Sequence, residues 1–297
     1  MELVKEGIHY KEEKGALKVT GIDDAEGEVI LPDSIEGKKV TAIDGYVFSR
    51  SNVSSLTLPR YLKESGNYLF YRCFSLKELR FSNDWDLVGS GTFTGCEIEK
   101  IVIDFYEDEK SCLKYILDEQ RYFVEVILRY HKEDGEVKEA RLVFPEHYEE
   151  AVENTPARIV MTHYHGSGGD YRQAFYDKEV NFLEYDSLLA RAVAEESEET
   201  VTKMAACRLA YPYKLTDEAK KRYRSYLEEH MDCAVEIYMD KEDLTMFHFF
   251  AKEKLWRKET LEKAIDLATK KKEMEILSFL MDVRQREFPK KKKTFEW

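Results

Sequence analysis

Two histidines that are two residues apart form the most chemically suggestive pattern in this sequence. His163 and His165 could bind zinc if a third ligand joined them, and Asp170 could be that ligand. Ser167 could act as a nucleophile beside them. The chain has no His-Glu-x-x-His or Cys-x-x-Cys motif, and the glycines of the stretch 161–172 lack the Gly-Lys-Ser/Thr of a phosphate-binding loop. A metal-dependent hydrolase is therefore an alternative hypothesis rather than the leading one.

The same stretch can instead serve as a glycine-rich connector whose rings pack against the adjoining parts of the chain, or as a binding surface. Since no motif here defines a reaction, we predict no catalytic residue, no metal and no cofactor. The candidate binding residues are His163, Tyr164, His165, Tyr171 and Arg172.

Thiols are a second possible source of chemistry. Cys73 and Cys96 occupy equivalent repeat positions, so they could form a disulfide or half of a metal site, or could be small buried side chains. An odd number of cysteines without a visible secretory signal favours a reducing compartment. His230 and Cys233 would share a helical face, but the partner spacing of a zinc site is absent. The cysteines are Cys73, Cys96, Cys112, Cys207 and Cys233.

The first third of the chain contains a sequence repeat. Phe48 recurs as Phe70 and Phe93, at steps of 22 and 23 residues. Such a period is typical of stacked-repeat proteins, in which each copy buries its apolar face only against its neighbours. We therefore predict a column of buried phenylalanine rings and an extended surface suited to binding other macromolecules.

Each copy ends in two apolar residues that are two positions apart, as in a short strand with one buried face. The residue between them would point outward, so that Thr57 and Arg80 are candidates for a binding surface. The predicted inward pairs are Leu56 and Leu58, Leu79 and Phe81, and Ile101 and Ile103, and the predicted outward residues are Thr57, Arg80 and Val102.

These copies resemble the BspA-like leucine-rich repeat family. The resemblance rests on the lead-in at 29–44, on the Phe-x-x-Cys cores at 70–73 and 93–96, and on the strand end Leu58-Pro59. It covers about a third of the chain, 15–105. The resemblance implies a solenoid fold, a bacterial origin and the recognition of proteins or surfaces, and it implies no reaction.

The middle of the chain changes to a helix and a hairpin. Residues 104–121 begin acidic and then predict a short helix, and the segments 122–130 and 137–144 have the pattern of strands. The Asp134-Gly135 pair between them is a strong hairpin signal. We expect this hairpin to extend the repeat sheet and to cover its open end, because the last coil of a solenoid needs a cap.

Helical periodicity begins at Asp186. Shifting the chain by 30 residues aligns Ala234 with Ala264 and Phe249-Phe250 with Phe279-Leu280, which predicts repeated helical hairpins with alanine at close helix contacts. The predicted helices are 186–196, 199–210, 216–239, 242–254, 258–271 and 273–286.

The segments 261–268 and 275–280 resemble an ankyrin-type helix pair, although the Thr-Pro-Leu-His signature is absent and the period is 30 residues instead of about 33. The helices 186–196 and 199–210 are interpreted as an earlier, diverged copy. The resemblance implies a helical-repeat module but no particular partner.

Composition limits the remaining functions. A net charge of −13 disfavours a general affinity for nucleic acid or anionic lipid. The basic tail at 284–297 could still dock on nucleic acid or an acidic partner, or could be a solvated terminus. No apolar run marks a secretory signal or a membrane span, so we predict a cytoplasmic protein.

Together these patterns predict an α+β protein, with a short leucine-rich-repeat solenoid and β-hairpin extension followed by an all-α helical-repeat domain. The predicted domains are 1–105, 106–180 and 181–297. The leading hypothesis is a non-enzymatic interaction or scaffold protein that binds a protein partner and no nucleic acid. A metal-dependent hydrolase using His163 and His165 is the alternative.

Overall fold

A computed structural model describes residues 2–5, 7–154 and 159–289 of the chain. Its strands are β1 Glu2–Lys5, β2 Ile8–Glu13, β3 Ala16–Ile22, β4 Glu26–Ile30, β5 Ser34–Ile35, β6 Lys38–Ile43, β7 Asn52–Thr57, β8 Glu64–Ser65, β9 Glu78–Ser82, β10 Lys100–Phe105, β11 Val124–His131, β12 Val137–Phe144, β13 Tyr148–Asn154, β14 Ile159–His165, β15 Phe175–Tyr176 and β16 Glu179–Val180. Its helices are α1 Leu113–Glu119, α2 Gly168–Tyr171, α3 Phe182–Ser187, α4 Leu189–Glu195, α5 Glu198–Ala210, α6 Asp217–Glu229, α7 Met231–Asp240, α8 Leu244–Lys252, α9 Lys258–Lys271 and α10 Met274–Glu287.

These elements fall into two units, which we name the repeat unit and the helical unit. The repeat unit comprises the described residues up to Glu196 together with Tyr213–Leu215. The helical unit comprises Ser197–Pro212 and the described residues from Thr216 onward. The layout is therefore α+β, with a strand-rich first part and a helical second part, and the first two predicted domains lie in one unit.

The larger sheet of the repeat unit consists almost wholly of parallel strands. Its order is β4-β7-β9-β10-β11-β12, and only β11 and β12 pair antiparallel. Each coil of the solenoid contributes one strand, and β11 continues this series beyond the three predicted copies. The prediction that the hairpin extends the repeat sheet is confirmed.

The coils also contribute shorter strands to a second sheet, in which β6 lies parallel to both β3 and β8. These strands shorten along the solenoid, and the next coil makes only a bridge between Glu64 and Leu87. The antiparallel strands β1 and β2, which the sequence patterns did not predict, extend this sheet beyond β3. In the last coil, α1 lies between β10 and β11, at the point in the sequence where the earlier coils have a short strand of the second sheet.

The predicted column of phenylalanine rings is confirmed. The ring centroids of Phe48 and Phe70 lie 5.8 Å apart, those of Phe70 and Phe93 lie 5.6 Å apart, and all three rings are buried. The N–H of Phe48 donates to the carbonyl of Leu69 and the N–H of Phe70 to that of Thr92, both at 3.1 Å. Stacked turns thus satisfy each other's backbone groups, which explains why the copies depend on one another.

The six predicted inward side chains of the strands are all buried, which confirms their register. Thr57 and Arg80 are partly exposed, as expected, but Val102 is only 3% exposed, so its prediction as an outward surface residue is wrong. Its neighbours on the outer face include Arg80 and Lys100, which form ion pairs with Asp104 and Glu78. The aliphatic parts of such paired side chains cover apolar residues between them.

Helix α1 and the residue after it end the column of phenylalanine rings. Their side chains form the hydrogen bonds that the backbone of a further coil would otherwise form. The N–H of Phe93 donates to Glu119 Oε2 at 3.0 Å, whereas the two earlier phenylalanines donate to backbone carbonyls. Gln120 accepts from the N–H of Ile98 at 3.2 Å and donates to the carbonyl of Phe93 at 3.4 Å. Because Gln120 is buried, both of its bonds are shielded from water.

The helical unit is built of three helical hairpins. Helix α6 packs on α5, α8 on α7 and α10 on α9, while α7 lies against both α5 and α9. The 30-residue shift aligns α7 with α9 and α8 with α10, and Ala234 and Ala264 are fully buried. The predicted pairing of 186–196 with 199–210 is wrong, because α3 and α4 belong to the repeat unit and α5 pairs with α6.

The predicted helix 216–239 is in fact two helices. Helix α6 ends at Glu229 and α7 begins at Met231, and His230 between them has a non-helical φ of −111° and ψ of 26°. The His230 ring stacks on that of Tyr226 at 3.9 Å, and its Nδ1 lies 2.8 Å from the Tyr226 carbonyl oxygen. These local contacts replace the next helical turn and end α6.

Candidate binding surfaces

The two-histidine stretch forms strand β14, not the loop that its glycines predict. This strand pairs antiparallel with β13. The side chains of His163 and Tyr164 lie outside the part of the chain whose side chains are described. The ring of His165 stacks on Tyr148 at 4.4 Å, and its Nε2 lies 3.1 Å from Glu150 Oε2. His165 is therefore held by its neighbouring strand.

Ser167 and Asp170, the predicted nucleophile and third metal ligand, are both engaged in other contacts. The buried hydroxyl of Ser167 donates to Glu196 Oε1 at 2.7 Å, and its backbone N–H donates to the same oxygen at 2.6 Å. Asp170 forms an ion pair with Arg191. Over the residues that the structure describes, no group of three or more His, Cys, Asp and Glu side chains could hold a metal ion.

Tyr171 and Arg172 are buried, so the prediction that they belong to a binding surface is wrong. Burial lowers the pKa of Arg172 to about 10, and the group remains charged at neutral pH. A Cβ on Gly168 would lie 2.3 Å from the Pro145 carbonyl oxygen, which explains the glycine. The Arg172 guanidinium donates to the backbone carbonyls of Leu117, Gln120, Tyr122, Pro145 and Gly168.

The outer face of the larger sheet, which carries Thr57 and Arg80, has charges that neutralise one another. Arg80 Nε donates to Asp104 Oδ2 at 2.8 Å, and His131 Nε2 lies 2.8 Å from the other oxygen of Asp104. A partner would have to compete with these pairs, which weakens the case for this face. Further pairs join Arg129 and Arg141 to Glu139, and Lys100 to Glu78.

A different edge of the repeat unit has an unusual backbone. Two positions in each of three successive turns have a positive φ, the left-handed region that favours glycine. The third turn has glycine at both positions, whereas the first two turns have large side chains there. These residues are Tyr46 (63°), Tyr68 (58°) and Gly91 (67°) at the first position, and Arg50 (59°), Arg72 (59°) and Gly95 (81°) at the second.

The large side chains at these positions form an exposed row. Tyr46 and Tyr68 are 58% and 37% exposed, and their rings stack with centroids 5.3 Å apart. Phe74, which follows the second of these turns, is 67% exposed. Contiguous exposed aromatic side chains often mark an interaction site. We name Tyr46, Arg50, Tyr68, Arg72 and Phe74 the tyrosine–arginine edge.

The arginines of this edge differ from the paired cations of the sheet face. Arg50 and Arg72 are exposed, and neither forms an ion pair with a carboxylate of the described residues. The Arg72 guanidinium lies 5.3 Å from the ring centre of Tyr71. Sequence reasoning missed the edge, although the glycines at 91 and 95 in the third copy could have indicated which positions have a special backbone.

Cys73 and Cys96 are free and buried, which confirms their interpretation as core residues and makes the disulfide alternative wrong. Each thiol donates to the carbonyl of a phenylalanine in the preceding coil, Cys73 to Phe48 at 2.6 Å and Cys96 to Phe70 at 3.1 Å. Burial raises the pKa of both thiols, that of Cys96 to about 12. The two cysteines therefore act as protonated donors that fix the turns.

Comparison with known proteins gives one family match, over residues 28–115, to the BspA type Leucine rich repeat region (6 copies). No curated protein and no solved structure matches the chain. None of the described helices has the length and apolarity needed to cross a membrane. The basic run at 290–293 lies outside the described residues. Over residues 28–115 the chain is thus similar to BspA-type leucine-rich repeats, which confirms the first part of the predicted resemblance.

Proposed function

We propose that this chain is a non-enzymatic interaction protein whose repeat unit binds a protein partner. The proposal rests on the tyrosine–arginine edge, where exposed aromatic rings occur together with guanidinium groups that pair with no carboxylate of the described residues. The similarity of residues 28–115 to BspA-type leucine-rich repeats supports it, because such repeats suggest a role in protein interaction.

Tyrosine and arginine are the residue types that most often dominate the energetics of protein interfaces. The backbone that carries them is already bonded from coil to coil. The N–H of Arg50 donates to the carbonyl of Tyr71 and that of Arg72 to the carbonyl of Thr94, both at 2.9 Å. Because this backbone is ordered before a partner arrives, binding costs little additional conformational entropy.

The proposal extends to the helical unit and to the location of the chain. We infer that the helical unit is an ankyrin-like second element of the same scaffold, supported by its three hairpins and its 30-residue shift. A cytoplasmic location is supported by the five cysteines, all of which are free. Thr57 and Arg80 remain candidates for additional contacts on the sheet face.

The test is affinity capture with the full-length chain, from a lysate of the cells that produce it, followed by mass spectrometry. The edge variant combines Tyr46→Gly with Phe74→Ala and removes two exposed rings without changing the charge. The matched control combines Tyr176→Ala with Leu183→Ala, which are 79% and 65% exposed and lie in the repeat unit but not on the edge.

A protein that is captured by the unchanged chain and by the control, and is lost from the edge variant, supports the proposal. Capture that the edge variant retains, or that both variants lose equally, contradicts a role for this edge. Absence of any captured protein from all three baits also contradicts the proposal.

A further inference from the structure

The arginines of the tyrosine–arginine edge occupy positions at which glycine would serve the backbone. The third turn has Gly95, with a φ of 81°, where the other two turns have Arg50 and Arg72. The turn therefore forms without a side chain at this position. A larger residue at positive φ is strained, and strained residues concentrate where the side chain has a function. The recurrence of arginine therefore points to a use for the guanidinium group.

These guanidinium groups are available to a ligand. No carboxylate of the described residues pairs with Arg50 or Arg72, whereas Lys77 has Glu99 at 3.0 Å and Glu97 at 3.7 Å. Successive coils of a parallel sheet are about 4.8 Å apart. The two arginines can therefore reach one carboxylate, or two carboxylates that follow each other along an extended chain, with bidentate geometry.

Two hollows adjoin these groups, and Phe74 lines both of them. One, of about 380 Å³, also has Arg50 and Arg72 in its wall. The other, of about 510 Å³, includes Gly95 and the exposed Arg121, a third cation without a carboxylate partner in the described part of the chain. A ligand side chain that enters either hollow would contact the Phe74 ring.

Two carboxylates also line the second hollow, but they are engaged. Glu119 accepts from the N–H of Phe93 at 3.0 Å and from the hydroxyl of Tyr115 at 2.6 Å. Glu97 lies 3.7 Å from Lys77. The edge itself has two arginines and no carboxylate, so it is positively charged on a chain whose net charge is −13.

We propose that the tyrosine–arginine edge binds an acidic, extended segment of a protein partner, with carboxylates on Arg50 and Arg72 and an aromatic or apolar side chain beside Phe74. This inference rests on the proposed function and specifies the chemistry of the partner. Nucleic acid is also anionic and stacks on tyrosine, but its charge is much denser than that of a peptide with a few carboxylates, so the net charge of −13 opposes it more strongly.

The experiment selects peptides from a random dodecapeptide display library on the full-length chain and, in parallel, on its Arg50→Gly/Arg72→Gly variant. The variant places in two turns the residue that the third turn already has, and thermal unfolding checks that it folds. The matched control, Lys14→Gly/Lys272→Gly, removes the same charge from exposed residues that also have positive φ, 50° and 66°. Selected peptides are resynthesised, and their affinities are measured by fluorescence anisotropy at low and high salt.

We expect the selected peptides to carry a net negative charge and an aromatic or apolar residue. They should bind the unchanged and control chains alike, bind the arginine variant about tenfold or more weakly, and lose affinity as salt increases. Neutral or basic peptides, no enrichment relative to the arginine variant, or an equal loss in the control would overturn the inference.

Two further outcomes separate this inference from the proposed function. Binding of a fluorescent oligothymidylate that is lost in the arginine variant would overturn the acidic protein segment and assign the edge to nucleic acid. A protein that is captured through Tyr46 and Phe74, and whose binding is unaffected by the arginine variant, would leave the proposed function in place and defeat only this inference.

Discussion

Gly91 shows, at the scale of single residues, how one coil constrains the next. Its φ is 67°, and a Cβ at this position would lie 2.5 Å from the Tyr68 ring. At Gly95 the φ is 81°, but the nearest atom to a Cβ would be the Arg72 Cα at 3.4 Å. The backbone at both positions favours glycine, and at Gly91 a side chain would also overlap the Tyr68 ring.

Gly91→Ala should therefore lower the free energy of unfolding by about 2–3 kcal/mol, because backbone strain and steric overlap add. Gly95→Ala is the matched control, with a loss of about 1 kcal/mol from strain alone. Urea unfolding of the two variants checks the difference. Adding Tyr68→Gly should recover the steric part of the Gly91→Ala loss, and equal losses at the two glycines would refute the argument.

The buried thiols predict a loss of stability in alkaline solution. Burial raises the pKa of Cys73, Cys96 and Cys112 above the ordinary value of 9.0, that of Cys96 to about 12. Above pH 9 the unfolded chain releases thiol protons that the folded chain retains, so the free energy of unfolding falls as pH rises, up to about 12 for Cys96. The slope is at most about 1.4 kcal/mol per pH unit for each thiol.

This prediction is checked by urea unfolding at a series of pH values between 8 and about 10.5. Cys96→Ala should show a shallower decline above pH 9 than the unchanged chain, because it lacks one of the titrating thiols. A decline of the same steepness in both proteins would show that Cys96 does not contribute.

Single residues were predictable from the sequence where a period determines their direction. Period 2 correctly predicted the inward residues of the strands, and the 22–23-residue period predicted the phenylalanine column. Period 2 also predicted the outward direction of Val102 but not its burial, which ion-paired neighbours on β9 and β10 explain. No period applies to Arg172, whose burial was not predictable because four of its five carbonyl acceptors come from distant parts of the chain.

At the scale of secondary structure, α1 is the element that ends the stacking of the turns. Gln120, directly after it, makes two buried hydrogen bonds to the third turn, through Ile98 and Phe93. A leucine of similar size would leave the N–H of Ile98 without its partner in the core. The carbonyl of Phe93 would lose one of two donors and keep the N–H of Cys96, at 3.0 Å.

Gln120→Leu should therefore lower the free energy of unfolding by about 2–4 kcal/mol. Asp118→Asn in the same helix is the control, with an expected loss below about 0.5 kcal/mol, because its pair with Lys114 is at the surface. Urea unfolding and hydrogen exchange at the N–H of Ile98 measure the two effects. Fast exchange at Ile98 in the unchanged chain would contradict the capping role.

Most elements were predictable from local pattern, since α1, the hairpin of β11 and β12, and the helices α5, α8, α9 and α10 all follow strong periodicity. The boundary at His230 was not, because the apolar pattern continues through it and the helix ends with local contacts to the ring and the carbonyl of Tyr226. Strand β14 was missed because its glycines lie just beyond it, and pairing with β13 determines its structure.

At the scale of the whole molecule, Tyr213 follows α5 in sequence yet belongs to the repeat unit. Its ring stacks on Tyr130 with centroids 4.1 Å apart and meets Phe182 edge-on at 5.6 Å. Its hydroxyl donates to Glu109 at 3.0 Å. No period or composition change in the sequence marks this segment, because its contacts are with residues far away in the chain.

Tyr213→Ala should lower the free energy of unfolding of the repeat unit by about 2–4 kcal/mol through lost packing. Tyr213→Phe keeps the ring and should cost only about 1 kcal/mol for the lost hydrogen bond. Hydrogen exchange of β11 in the full-length variants measures the effect on this unit. Equal losses in the two variants would show that the hydroxyl, not the stack, holds the segment.

Because Gln120 caps the third turn with the same kind of hydrogen bond that joins one coil to the next, the solenoid could gain coils through gene duplication. The Gln120 amide donates to the carbonyl of Phe93, and Cys73 and Cys96 donate to the carbonyls at the equivalent positions, Phe48 and Phe70. An extra coil inserted ahead of the cap would therefore meet matching bonds on both sides. Duplicating residues 67–89 would lengthen the sheet by about 4.8 Å. It would add copies of Tyr68, Arg72 and Phe74 to the edge, so the number of coils would determine how many binding groups the chain presents.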